Sequence, residues 1–309
     1  MNNNIETVKC VVCESTTYET ITKNGDGTYP INLVVCNKCG LAYLNPRWNK
    51  VNYSNYYKLE YDNTYRSNPL NNPSILRPKN NTIVDRIKEN GLLQKKALKI
   101  LDIGSGNGQN LIDLKSIYPT AEYYAIEPSI ISQNTIRKNG IHLLSDDVDK
   151  SWEKDYLDSF DLIIMRHVLE HFLDPSSILK KVNLVLNDFG VVYIAVPDNL
   201  LKNRNEGWLR IAHTYYFNTN SLYNLLVKEH FEPLLLKNGD YHNKYEIFTF
   251  SKKSRVDKSL KISQSHYYEQ KNIFKAVIKN DKRTLIKLKK KIIKIMKAVK
   301  NTFANILYK

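Results

Sequence analysis

The chain has 309 residues, 42% of them hydrophobic, which is enough for one full α/β domain with smaller attachments and a sizeable core. Its formal net charge of +15 is confined to one end: residues 252–309 hold 18 Lys and Arg against 3 Asp and Glu, while residues 1–251 hold 28 of each sign. A neutral body excludes reading the basic balance as a nucleic-acid-binding catalytic face, and no apolar run approaches the roughly 18 residues of a membrane span.

The opening Met1–Thr7 lacks a basic and apolar leader, so the expected location is cytoplasmic. All four cysteines follow at once, as Cys10-Val11-Val12-Cys13 and Cys36-Asn37-Lys38-Cys39. Each C-x-x-C knuckle offers two sulfurs to one tetrahedral ion, and the spacing predicts a zinc ribbon over residues 1–45 with Cys10, Cys13, Cys36 and Cys39 as ligands. Four thiolates leave no open position for water, so this Zn2+ is read as structural. A disulfide pair competes, and a reducing compartment disfavours it.

Residues 46–95 read as a connecting segment. Tyr53, Tyr56, Tyr57, Tyr61 and Tyr65 either face the ligand sites or pack between ribbon and core. Asn71-Asn72-Pro73 and Arg77-Pro78 mark a linker, and Ile83, Val84 and Ile87 predict a helix leading into the first strand of the main domain.

The main domain is placed at residues 96–252. From Leu98 an apolar strand ends in Asp102, turns through Gly104, Gly106 and Gly108, and enters a helix with apolar positions at Leu111, Ile112 and Leu114. This is a strand-loop-helix ligand site, glycine serving where backbone bends sharply or lies against a ligand, with open amides favouring a partly negative group. Gln109 stands where a dinucleotide G-x-G-x-x-G needs its last glycine, and no Gly-Lys-Ser/Thr follows for a phosphate loop. A second strand, Ala121–Ile126, delivers Glu127, an acid able to accept from both hydroxyls of a ribose.

These residues, together with Phe160-Asp161-Leu162-Ile163-Ile164-Met165-Arg166-His167-Val168-Leu169-Glu170-His171, resemble the class I S-adenosylmethionine-dependent methyltransferases, the last stretch matching the family's fourth strand and its His-Val-Leu-Glu-His segment. The resemblance implies a Rossmann-like doubly wound α/β sheet with a closing antiparallel pair. It implies S-adenosylmethionine contacts from Asp102, Gly104, Gly106, Gly108, Glu127, Arg166 and His167. An acid after the third strand, Ile141–Leu144, would meet the adenine amino group; Asp146 and Asp147 both qualify, Asp147 being preferred for its distance from Gly140. Cys39-Gly40-Leu41-Ala42-Tyr43-Leu44-Asn45-Pro46-Arg47 is similar to the zinc-binding region of methyltransferases of sugar and surface-glycan pathways.

A helix over Ser177–Leu186 and a fifth strand over Gly190–Pro197 follow, the strand's continuous apolar character fitting cover on both faces. Phe231–Lys237 and Tyr245–Phe250 are read as the closing pair. Methyl transfer from a sulfonium needs an in-line nucleophile and, for most oxygen or carbon acceptors, a base. His167, His171 and His213 fall past the strand ends, with Glu170 able to pair with either of the first two. His213-Thr214-Tyr215-Tyr216-Phe217 resembles the His-x-x-Tyr-Phe segment of sugar C-methyltransferases, but Ala212 replaces the glutamate that precedes that histidine. The catalytic candidates are therefore His213 and His167. Trp208 and Arg210 sit on a lid-like segment, and His171 is expected to serve the start of the next helix.

Residues 253–309 read as a basic helical tail, with Leu285, Leu288, Ile292, Ile295, Met296, Val299, Phe303 and Ile306 on one helical face and lysines opposite. An anionic membrane surface or a partner helix suits such a face, nucleic acid ranking third; the first would place the protein at the inner face of the membrane. The favoured function is methyl transfer, to O or C, on a small polar acceptor, a nucleotide-linked sugar or glycan intermediate. RNA methylation and a docking protein that retains a cofactor pocket are the rival readings.

Overall fold

The computed structural model describes residues 5–60, 82–92, 98–198, 206–240 and 243–279. Tyr61, Tyr65, the expected linker and the amphipathic stretch from Thr284 lie outside them. Short strand β1 (Ile5–Glu6) pairs with β5 (Arg47–Trp48), and between them β2 (Tyr18–Thr22), β3 (Leu33–Cys36) and β4 (Ala42–Leu44) form an antiparallel meander. Alternation along this sheet gives it two buried faces. Val34, Cys36 and Tyr43 join the main core, while Leu33, Val35, Ala42 and Leu44 pack on Tyr53 and Tyr56 of helix α1 (Lys50–Leu59).

Helix α2 (Thr82–Glu89) precedes the main sheet, which is laid down by β6 (Lys99–Ile103), α3 (Gln109–Leu114), β7 (Glu122–Ile126), α4 (Ile130–Lys138), β8 (His142–Ser145), β9 (Phe160–Arg166), α5 (Pro175–Val185) and β10 (Leu186–Pro197). After β11 (Tyr215–Tyr216) and α6 (Thr219–Lys228), strands β12 (Phe231–Asn238) and β13 (Glu246–Lys253) complete it in the order β12-β13-β10-β9-β6-β7-β8. The strands from β6 to β10 pair in parallel, and β13 runs antiparallel to both β10 and β12.

Pleating splits the central strands between two cores. Leu101, Ile163, Met165 and Ile194 face α5, α6 and the ribbon; Ile100, Leu162, Ile164 and Tyr193 face α2, α3 and α4. Each fully buried side chain of this kind contributes about 1.5–3 kcal/mol, so the sheet that carries the site is also the main store of stability. Helix α5 starts before the expected Ser177 because Pro175 occupies its first turn and Asp174 accepts from the Ser177 amide at 3.0 Å. That cap is Asp174 and not His171, contrary to the sequence expectation.

Several contacts tie the ribbon to the body, two of them through whole elements. Strand β11 adds to the ribbon sheet, Tyr215 opposite Tyr43 and Tyr216 opposite Ala42. A helix over residues 264–279 then lies across the ribbon: Gly40 adopts φ +77°, and a Cβ there would stand 2.5 Å from the His266 carbonyl oxygen. Tyr267 and Lys271 both donate to Glu19, and Phe274 joins the cluster around Tyr53. Part of the basic charge after residue 252 is thus spent on the ribbon itself.

Candidate active site

Strand β6 carries Asp102 to the sheet edge, and the chain then takes three left-handed glycines, Gly104, Gly106 and Gly108, at φ +72°, +56° and +77°. A side chain at Gly104 would drive its Cβ to 2.4 Å from Val168 Cγ1, whereas nothing lies within 4 Å of the corresponding point at Gly106. The loop is pinched on one side and open on the other, as a ligand-bearing loop must be. Glu127, at the end of β7, accepts from the Gly106 amide at 2.7 Å and from Ser129 at 3.0 Å.

Asp102 is buried and accepts from Asn110 Nδ2 at 3.1 Å. Asp146 and Asp147 follow β8: Asp146 pairs with Lys150, and Asp147 accepts from the Asp149 amide at 2.8 Å. Both are thus partly engaged in the local turn.

The other wall begins where β9 ends. His167 takes a left-handed φ of +55°, held by its amide donating to the Ala195 carbonyl at 2.8 Å, and its Nε2 lies 2.8 Å from Glu246 Oε2. Glu246 opens β13 and is fully buried, gripped by Arg86, whose guanidinium also donates to both Asp240 oxygens and to Tyr193 Oη at 2.6 Å. Burial alone would raise the Glu246 pKa, yet His167, Arg166 and Arg86 outweigh it and hold it at about 2. The histidine backed by an ionised carboxylate is therefore His167.

His213 is 8% exposed and stacks edge-on against His171, ring centres 4.9 Å apart. The carboxylate missing at Ala212 is met in space by Glu170, which shares with His171 and His213 a cluster of ligand atoms all within 4.8 Å of one another. Burial, with the Glu246 charge adding, pushes the Glu170 pKa up to about 8, and burial pushes that of His171 down to about 4. Tyr57 Oη donates to the Ala212 carbonyl at 3.3 Å and lies 3.1 Å from His171 Nδ1. Thr214 Oγ1 fastens this segment to the Glu170 and Phe172 carbonyls, and the Leu44 amide of the ribbon donates to the Thr214 carbonyl at 3.0 Å. Ribbon and α1 thereby hold the segment that carries Glu170, His171 and His213.

In the ribbon, Cys10 and Cys39 bring their sulfurs to 3.5 Å, as do Cys13 and Cys36, and all four lie within 4.8 Å of one another. None is joined in a disulfide. A tetrahedral zinc with ~2.3 Å bonds separates its sulfurs by about 3.8 Å, so the four-cysteine cluster is compatible with one structural Zn2+.

Glu246 and Arg86 carry no motif that would have drawn attention to them in the sequence. Glu246 meets His167 across 79 residues, and only its place at the start of a closing strand marks it.

Strand order, glycine cradle and strand-end acid define a Rossmann-like nucleoside-binding domain of the methyltransferase type. A family model described as a methyltransferase domain matches residues 76–236, just over half of the chain, and the chain belongs to that family. Release factor glutamine methyltransferase of Flavobacterium psychrophilum is 31% identical over 191 residues, 56% of this chain and 66% of the relative. The chain thus spans just under two thirds of that relative's length. Among solved structures, a SAM dependent methyltransferase from Aquifex aeolicus aligns over 59% of this chain and 94% of its own at 19% identity and a TM-score of 0.46. A Haloferax volcanii complex of the Trm112 methyltransferase activator and a putative methyltransferase aligns over 58% and 91% at 13% identity and 0.48.

Proposed function

We propose that the protein transfers a methyl group from S-adenosylmethionine to a small polar acceptor, a nucleotide-linked sugar or glycan intermediate, and that the ribbon holds a structural Zn2+. One observation carries this reading: Val168, packed on Gly104, sits between His167 and the Glu170–His171 pair, so one turn joins the cofactor cradle to a histidine-lined wall.

When bound, S-adenosylmethionine supplies an electrophilic sulfonium methyl. Asp102, Gly104, Gly106, Gly108 and Glu127 would hold its nucleoside and amino-acid ends together with Arg166, and Asp147 or Asp146 would meet the adenine edge. His167 accepts the acceptor's proton, Glu246 fixing its ring and stabilising the imidazolium. His213 contacts the acceptor, with Trp208 at a ring-centre distance of 6.4 Å as part of the same wall.

The amide named in the glutamine methyltransferase relative is the second reading. An amide nitrogen, like a hydroxyl, gives up a proton on methylation, so the His167–Glu246 pair suits either acceptor and the labelled fraction decides between them. The test is transfer of labelled methyl into a cell extract separated into small-molecule, lipid, protein and RNA fractions. Label in the sugar-nucleotide or glycolipid fraction supports the proposal; label in release-factor-like protein or RNase-sensitive material replaces it.

A further inference from the structure

We propose that Glu170, His171 and His213 form a second metal centre, distinct from the ribbon cysteines, which takes one divalent cation of the zinc class and presents it to oxygen atoms of the acceptor. Only that last role rests on the acceptor reading above. Two imidazoles and one carboxylate with open positions is the donor set of catalytic zinc and non-haem iron sites, as opposed to the closed four-thiolate set of a structural one. The three ligand atoms lie within 4.8 Å of one another, close enough to share one ion.

Two independent details aim the cluster at a cation. Glu170 is 2% exposed, and among the described residues neither of its carboxylate oxygens has a hydrogen-bond partner. Buried carboxylates are ordinarily paired or bound to metal. The nearer of its two histidine contacts, His171 Nε2 at 3.7 Å, stands beyond hydrogen-bond reach and within a few tenths of an ångström of the roughly 3.4 Å that separates two ligands on one tetrahedral ion.

The second detail is the tautomer of His171. Tyr57 donates to the Ala212 carbonyl at 3.3 Å and lies 3.1 Å from His171 Nδ1, an arrangement that favours the tautomer with Nδ1–H donating to Tyr57 and the lone pair on Nε2, the nitrogen nearer Glu170. A hydrogen-bonded Nδ1 behind a ligating Nε2 is the usual support of a metal-bound histidine. Thr214, bonded to the Glu170 and Phe172 carbonyls, holds the 169–172 turn and the His213 segment in fixed register, so the ligands are positioned before any ion arrives. A dication here would lower the pKa of an acceptor hydroxyl, easing its deprotonation by the neighbouring His167.

The test uses the full chain with its ribbon zinc in place and Co2+ alone as probe, with no cofactor or acceptor added. Metal is counted by mass spectrometry and the second equivalent followed by visible absorption. The expected result is two metals per chain, the second Co2+ showing d–d bands without thiolate charge transfer, and Glu170→Gln and His213→Ala each weakening that equivalent on the order of 10–100-fold. One metal per chain at saturating Co2+, or a second equivalent unchanged in both variants, overturns the proposal. The wild-type stoichiometry decides even if a variant misfolds. Because no methyl transfer is read, failure of the acceptor assignment leaves this result intact.

Discussion

The cofactor wall and the acceptor wall of this site are assembled differently. The proposed cofactor wall is built mainly from residues 102–108, through backbone, with Glu127 reaching in from the end of the next strand. The second draws Tyr57 from α1, Arg86 from α2, His167 to His171 from the turn after β9, His213 from the approach to β11 and Glu246 from β13. A nucleoside common to many enzymes can be held by a short local device, whereas an acceptor is recognised by side chains that only the finished fold brings together. The difference also suggests a task for the ribbon, because β11 and the Leu44 amide join it to the Thr214–Tyr216 segment that follows His213.

The sharpest way to break that division is to strip the ribbon of metal. Chelation should unfold the first 45 or so residues, since structural zinc supplies roughly 10–16 kcal/mol of apparent binding energy to such a unit. Acceptor turnover should vanish while the glycine loop, read by S-adenosylmethionine calorimetry, keeps much of its affinity. Unchanged stability after metal removal would remove the zinc assignment.

His167→Asn should come next, lowering kcat roughly 10²–10⁴-fold with cofactor affinity unchanged. Its partner gives a pH signature. Glu246 is held at about 2 against an ordinary 4.5, so the stability it contributes is complete above about pH 4.5 and is lost as pH falls towards 2. His167, Arg166 and Arg86 face it, and Glu170, pushed up to about 8 by burial, is protonated across that window and adds no opposing charge. Acid denaturation of Glu246→Gln should be shallower across that window, and an unchanged acid limb would count against the pairing.

On the opposite wall, Gly106→Leu should weaken S-adenosylmethionine binding on the order of 100-fold, about 2.7 kcal/mol, because its side chain enters the open face of the loop. The fold should lose only about 1–2 kcal/mol from the left-handed backbone. Tight binding by this variant would refute the pocket. The smallest effect belongs to Tyr57→Phe, which removes a hydroxyl worth about 1 kcal/mol and should alter acceptor KM without touching cofactor affinity.

The same division governs what could be read from the amino-acid order. Glycine spacing, strand-end acids and paired cysteines are short-range patterns, and a buried parallel strand followed from a continuous apolar run at Val191–Val196. Strand ends were less legible: β10 begins at Leu186, inside the stretch assigned to a helix, because pairing with Phe160 captures it. Arg86 looks like an ordinary charged position on an amphipathic helix, and its burial against Glu246, Asp240 and Phe248 depends on contacts 154 to 162 residues away. The absent glutamate at Ala212 weakened the case for His213 in one dimension; Glu170 supplies a carboxylate to that neighbourhood in three.

The central claim is that both walls serve one methyl-transfer site. It is tested most directly by labelled-methyl transfer from S-adenosylmethionine into fractionated extract, run with wild type, Glu127→Ala and His167→Asn alongside calorimetric cofactor binding. The expected result is label in a small polar or glycan fraction from wild type, with Glu127→Ala failing at binding and His167→Asn binding normally but failing to transfer. Full transfer by His167→Asn, or cofactor binding by wild type with no label in any fraction, would contradict it.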